Sequence, residues 1–183
     1  PLYLDHVQKN LSADQNIDAL CFTKRGLLLN EFGLLFSSLF EQEDIHEELI
    51  RLIAVNRHGI PQTELMQKSS KSVGGSLKKR LKELEASGFI ESFIPYQHKE
   101  KGIYYRVLDE YSLFYLKWID PIAKNIKSRD KEKGYWLSKQ QSSGWENTKK
   151  TGTHHLSVGS FLYLEKSLHR CECNRNREIL YTG

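Results

Sequence analysis

Apolar residues recur at steps of three and four along most of this chain and switch to strand-like runs in only one place. Ser12, followed by Asp14 and Gln15, reads as a helix start, with Gln15 at the third helical position of a capping box. Ile17, Leu20 and Cys21 follow at helical spacing, and Gly26 breaks the pattern. A second helix is then predicted from Leu28, Phe32, Leu35, Phe36, Leu39 and Phe40. Two helices this short bury too little to hold together alone. Residues 1–40 are therefore expected to lean on a neighbour that has been cut away.

Residues 41–110 carry the clearest organisation. Helix one is predicted over Asp44 to Asn56, with Ile45, Leu49, Leu52 and Ile53 as its apolar stripe and His58-Gly59 ending it. Ile60 leads into Pro61, a favoured first helical residue, and helix two runs to Lys68 with Leu65 inward. After a polar turn over Ser69–Ser72, helix three runs from Val73 or Gly74 to Ala86, with Leu77, Leu81 and Leu84 facing in and Gly88 as its C-terminal cap. Phe89–Ile94 and Ile103–Leu108 read as two strands joined by the polar turn His98–Gly102. Three helices followed by a hairpin is the winged helix-turn-helix pattern.

From Asp109 on, Tyr111, Leu113, Phe114, Leu116, Trp118 and Ile119 predict one aromatic-rich helix, ended by Pro121. Residues 111–147 are taken as the helical start of a further domain. In residues 148–183 the periodicity fades into an irregular tail. The fold class expected is mainly α with a small β-hairpin.

Charge sharpens this picture locally. The 183 residues hold 27 Lys+Arg and 23 Asp+Glu, a formal net charge of +4. The balance is uneven. Glu41 to Met66 contains six acids and two bases, whereas Gln67 to Lys82 contains six bases and no acid. Helix three is the element that can enter a DNA major groove in this pattern. With its leucines buried, Lys78, Lys79 and Lys82 must point outward, and Ser72 and Ser76 are placed to donate to phosphates near its N-terminus. Lys99 and Lys101 sit on the wing tip, with His98 beside them. Duplex DNA is the partner this arrangement fits, through sequence-tolerant phosphate contacts. The helix lacks a clear base-reading set of Asn, Gln or Arg. A solvated basic face or a protein-docking module remains the competing reading.

Enzyme signals are weak. No G-x-x-x-x-G-K-[ST] loop, G-x-S-x-G elbow or H-E-x-x-H pair occurs. Gly74-Gly75-Ser76 reads as a helix entry, not a phosphate loop. His169-x-Cys171-x-Cys173, with His154 and His155, matches no familiar zinc spacing. Trp118, Trp136 and Trp145 are expected in a core or interface. Uninterrupted apolar stretches such as Leu27–Leu29 are too short to span a membrane. Three cysteines make no disulfide scaffold, and a reducing, cytoplasmic setting is expected. The chain starts at Pro1, and its only methionine is Met66, which suggests a piece of something longer.

Several blocks resemble a group of prokaryotic AAA+ proteins, the archaeal-type ATPases. Pro1-Leu2-Tyr3-Leu4, Gln15–Asp18, Gly26–Phe32 and Leu34-Leu35 are similar to the helices of that group's lid. Arg80–Glu85 followed by Gly88-Phe89-Ile90 resembles its third winged helix and first wing strand. The most specific block is Lys101–Val107 into Asp109-Glu110-Tyr111 and Phe114–Ile119, similar to the second wing strand and the helix after it. The resemblance covers Pro1 to Trp145. It implies a parent that hydrolyses ATP with magnesium in an N-terminal core, followed by lid, winged helix and a nuclease-like domain. The nucleotide-binding core is absent from this sequence, and after Trp145 the family's continuation is replaced. On that footing the chain is a truncated copy with no cofactor and no catalytic or metal-binding residue of its own. Its partners would be duplex DNA and the missing ATPase core. A structural docking module and a non-functional fragment stand as alternatives.

Overall fold

A computed structural model of the chain describes residues 5–56, 58–69, 75–96, 102–128 and 134–140. Among the described residues the main segments are helices or helical turns. They are α1 (Ala13–Cys21), α2 (Leu27–Leu39), α3 (Glu43–Ala54), α4 (Gln62–Lys68), α5 (Gly75–Ala86), α6 (Glu110–Phe114), a π turn (Tyr115–Ile119), a 3-10 turn (Asp120–Ile122), α7 (Ala123–Ser128) and α8 (Tyr135–Gln140). Three short strands, β1 (Ile60–Pro61), β2 (Ile90–Phe93) and β3 (Tyr104–Val107), form one antiparallel sheet in the order β1-β3-β2. The chain is thus mainly helical with a small antiparallel sheet, as its periodicity predicts. It divides into two compact units. One is Phe32–Leu116, and the other takes the described residues up to Glu31 and from Lys117 onward.

In the central unit, Leu49, Ile50, Ile53, Leu65, Leu77, Leu81 and Leu84 are buried from α3, α4 and α5. Each such side chain contributes about 1.5–3 kcal/mol. The expected stripe on α3 is rotated. His46 and Ile50 are buried, while Ile45 and Leu52 are only half-buried. A ladder of rings extends this core. Phe32 stacks on Tyr115 at 4.4 Å, and Phe36 lies 4.9 Å from both Phe32 and Phe89.

The two hairpin strands are shorter than the expected runs, but a third strand, β1, joins them. Ile60 pairs with Tyr105 and Pro61 with Tyr104, and Gln62 N–H donates to the Ile103 carbonyl at 2.9 Å. Pro61 therefore lies in an edge strand, where its missing N–H costs no ladder bond. It is the N-cap of α4 and not the first helical residue. Gly59 before it has φ +94°, and a Cβ there would sit 2.7 Å from the Phe93 ring. The glycine is required both by conformation and by space. α5 ends as its sequence predicts. Gly88 has φ +77°, its N–H donates to Glu85, and Phe89 N–H donates back to Leu84, which closes a Schellman cap and turns the chain into β2.

The other unit is built on α1 and α8. The capping box is present: Ser12 N–H donates to Gln15 Oε1 at 2.9 Å and Gln15 N–H to Ser12 Oγ at 3.3 Å. α8 of this chain packs against α1. Trp136 of α8 is fully buried, stacked at 5.7 Å on Phe22 and edge-on at 5.5 Å to Trp118. Trp136 thus packs in a core, Trp118 lies half-buried against it, and Trp145 lies outside the described residues. Pro121 does not end the helical path as expected. It occupies the first turn of the 3-10 segment, where no N–H is needed, and the chain continues helically to Ser128.

Asp18, on the inner face of α1, reaches across to cap α8. Its Oδ1 accepts the Trp136 N–H at 2.8 Å, and the Gly134 and Leu137 N–H groups also bond to the carboxylate. Burial nevertheless raises its pKa above the ordinary 3.8, and the backbone bonds offset only part of that rise. The folded acid holds its proton more tightly than the open chain. Stability is therefore lost as pH climbs from about 3.8 through the raised value. Asp18→Asn keeps an acceptor without the charge. Relative to wild type it is expected to gain stability between pH 4 and pH 7 in urea unfolding, while Asp18→Ala loses the cap and about 1–2 kcal/mol.

Candidate nucleic-acid interface

The candidate site begins with the helical geometry of α5. At about 100° per residue, Leu77, Leu81 and Leu84 fall on one side, and Lys78, Lys82 and Lys79 fall within an arc of about 100° on the other. The burial agrees. The three leucines are at most 1% exposed, and the three lysines are all exposed. Among the described residues neither Lys78 nor Lys82 has an ion-pair partner. Lys79, whose side chain is 70% exposed, has its Nζ 3.9 Å from Glu83 Oε1. An exposed pair at that distance is worth little. Ser76 lies exposed in the first turn, on the Lys79 flank. The structure therefore brings Ser76, Lys78, Lys79 and Lys82 together on one outward face. Ser72, His98, Lys99 and Lys101 lie outside the described residues.

The six bases of the acid-free run are not equivalent. Lys68 is paired with Glu64 at 2.6 Å. Arg80, only 12% exposed, turns away from the lysines: Nη1 donates to Glu83 Oε2 at 2.9 Å and Nη2 to Gln42 Oε1 at 2.6 Å. His46 meets the same carboxylate from α3, with Nε2 2.9 Å from Glu83 Oε2. Its other nitrogen, Nδ1, lies 2.8 Å from the Gln42 carbonyl, and its ring stacks on Phe40 at 3.9 Å. The Arg80 guanidinium, with help from His46, holds the Glu83 carboxyl below its ordinary value of 4.5. Its contribution to stability is accordingly intact above about 4.5 and is lost as pH falls through the lowered value. This network of Gln42, His46, Arg80 and Glu83 fixes α5 against α3 and so sets which way the lysines point. Sequence reasoning missed it. The available signal was the spacing His46, Leu49, Ile50, Ile53, which is as regular as the stripe expected in its place.

The hairpin presents a different surface. Arg106 pairs with Glu91 and lies over the Phe93 ring at 5.4 Å. Glu85 accepts from both the Ser92 N–H, at 2.9 Å, and the Ser92 hydroxyl, at 2.6 Å, which holds its carboxyl below the usual range. One backbone donor of the edge strand is thereby occupied, which discourages the addition of a further strand. Ile94 is 76% and Tyr96 90% exposed beyond β2.

Among the described residues no group of three or more His, Cys, Asp or Glu side chains is placed to hold a metal ion. None of their helices is long and apolar enough to cross a membrane. His154, His155, His169, Cys171 and Cys173 lie outside the described residues, and the described Cys21 is buried, which pushes its thiol pKa up. No protein-family model matches the chain, and neither a curated protein nor a solved structure does.

Proposed function

We propose that the Phe32–Leu116 unit is a winged helix-turn-helix module whose α5 rests on the phosphates of duplex DNA. The reading is carried by one observation: Lys78, Lys79 and Lys82 share an exposed face on the side of that helix turned away from its buried leucines. The element order supports it, since α3, α4 and α5 followed by β2 and β3 is the order of that fold. The short β1 strand beside the hairpin is compatible with the same reading. Contacts of this kind neutralise phosphates without reading bases. The resemblance to archaeal-type ATPases adds a setting, in which the module is an accessory part of an ATP-hydrolysing, cytoplasmic assembly and needs no cofactor itself.

Titration of a labelled duplex with the full chain at rising salt tests the proposal. Binding at low salt is expected, with log K falling linearly in log salt at about 0.9 per phosphate contact. Absence of binding at the lowest salt rejects it. A second reading, docking to a protein, is favoured by the exposed Ile94 and Tyr96 at the hairpin. It predicts that partner binding survives reversal of the three lysines.

A further inference from the structure

His46 is fully buried between two hydrogen-bond acceptors, the Gln42 carbonyl at 2.8 Å and the Glu83 carboxylate at 2.9 Å. A neutral imidazole has one N–H and leaves one of these acceptors facing a lone pair. The missing hydrogen is not on Glu83, because the Arg80 guanidinium at 2.9 Å keeps that carboxyl ionised. The contacts are therefore all satisfied only when both ring nitrogens carry hydrogen. The Phe40 face, 3.9 Å away and nearly parallel, suits a cationic ring.

We propose that His46 is a proton-operated clasp between α3 and α5, closed as the imidazolium, and that loss of its proton weakens the hold of the α5 lysines on nucleic acid. This regulation rests on the DNA reading above. Among the described residues the charged groups around the ring come from α5 and α3. From α5 they are Glu83, in direct contact, Arg80 behind it, and Lys79 at the far carboxylate oxygen. On α3 itself the acids nearest in sequence are Asp44, Glu47 and Glu48, and Glu47 faces Arg51 at 3.7 Å. When the ring discharges, Nε2 turns a lone pair toward the carboxylate. The module loses one positive charge, and Glu83 retains only Arg80 and Lys79. The carboxylate then competes with phosphate for Lys79, one of the three exposed lysines.

The test uses the full chain labelled with nitrogen-15. Ring-nitrogen spectra of His46, recorded over a pH series from about 5.5 to 8.5, should show both nitrogens protonated at the acid end, as its two acceptors require. The backbone amides of α3 and α5 should shift together as one nitrogen loses its hydrogen. Duplex affinity should fall about 3- to 10-fold over the same range, the effect of roughly one nearby charge. His46→Gln should flatten that dependence. A ring carrying a single hydrogen at every pH overturns the clasp, as do amides that ignore its titration. An affinity that stays flat while the ring titrates overturns the regulation. Ring titration with no duplex binding at any pH rejects the DNA reading and the regulation with it, but leaves the clasp standing. Should His46→Gln fail to fold, Glu83→Gln removes the facing charge while keeping the side chain's shape, and must flatten the same dependence.

Discussion

Changing Lys78, Lys79 and Lys82 together to glutamate is expected to lower affinity for duplex DNA at least about 100-fold at low salt. The size follows from the geometry. Each lysine on a phosphate gains about 1 kcal/mol at a water-exposed surface, so losing three contacts costs about 3 kcal/mol, and the introduced acids add repulsion. The matching variant with three glutamines separates lost attraction from added repulsion. It should bind between wild type and the glutamate variant, with a salt slope reduced by about 3. Neither variant should unfold the protein. All three side chains are exposed, and the contact of Lys79 with Glu83, at 3.9 Å, is weak. Fluorescence anisotropy with denaturant unfolding alongside reads both quantities. Unchanged affinity in the glutamate variant would remove α5 from any account of DNA contact.

Trp136→Ala is expected to have the largest effect on stability, a loss of about 3–5 kcal/mol. The indole is fully buried, stacked on Phe22 and edge-on to Trp118, and its own N–H on the main chain is held by Asp18. Removing it opens a cavity where the short α8 meets α1. A six-residue helix has little stability without such an anchor. Chemical unfolding followed by far-ultraviolet dichroism measures the loss. A change below about 1 kcal/mol would mean that α8 is not anchored at this point. The two sets of substitutions ask unrelated questions, since the lysines belong to the central unit and Trp136 to the other.

Local chemistry alone determined much of this architecture. The Ser12–Gln15 capping box, the turn at Gly59, the leucine face of α5 and its Gly88 cap are properties of neighbouring residues, and each is found where the spacing places it. The outward lysines follow from the same periodicity, because burying Leu77, Leu81 and Leu84 leaves Lys78, Lys79 and Lys82 no other side. What the sequence could not contain is information about partners far along the chain. Ile60–Pro61 becomes a strand only when β3 arrives beside it some 45 residues later, as the pairing of Ile60 with Tyr105 requires. His46 reads as a polar interruption until Glu83 and Gln42 supply acceptors that make its burial affordable. Nothing beside Asp18 in the sequence announces the N–H groups at the start of α8 that its carboxylate accepts from. Periodicity reports which face of an element turns inward. Only the assembled tertiary structure decides which buried polar groups find the partners that let them stay there, because an unmet buried donor or charge costs more than most single contacts return.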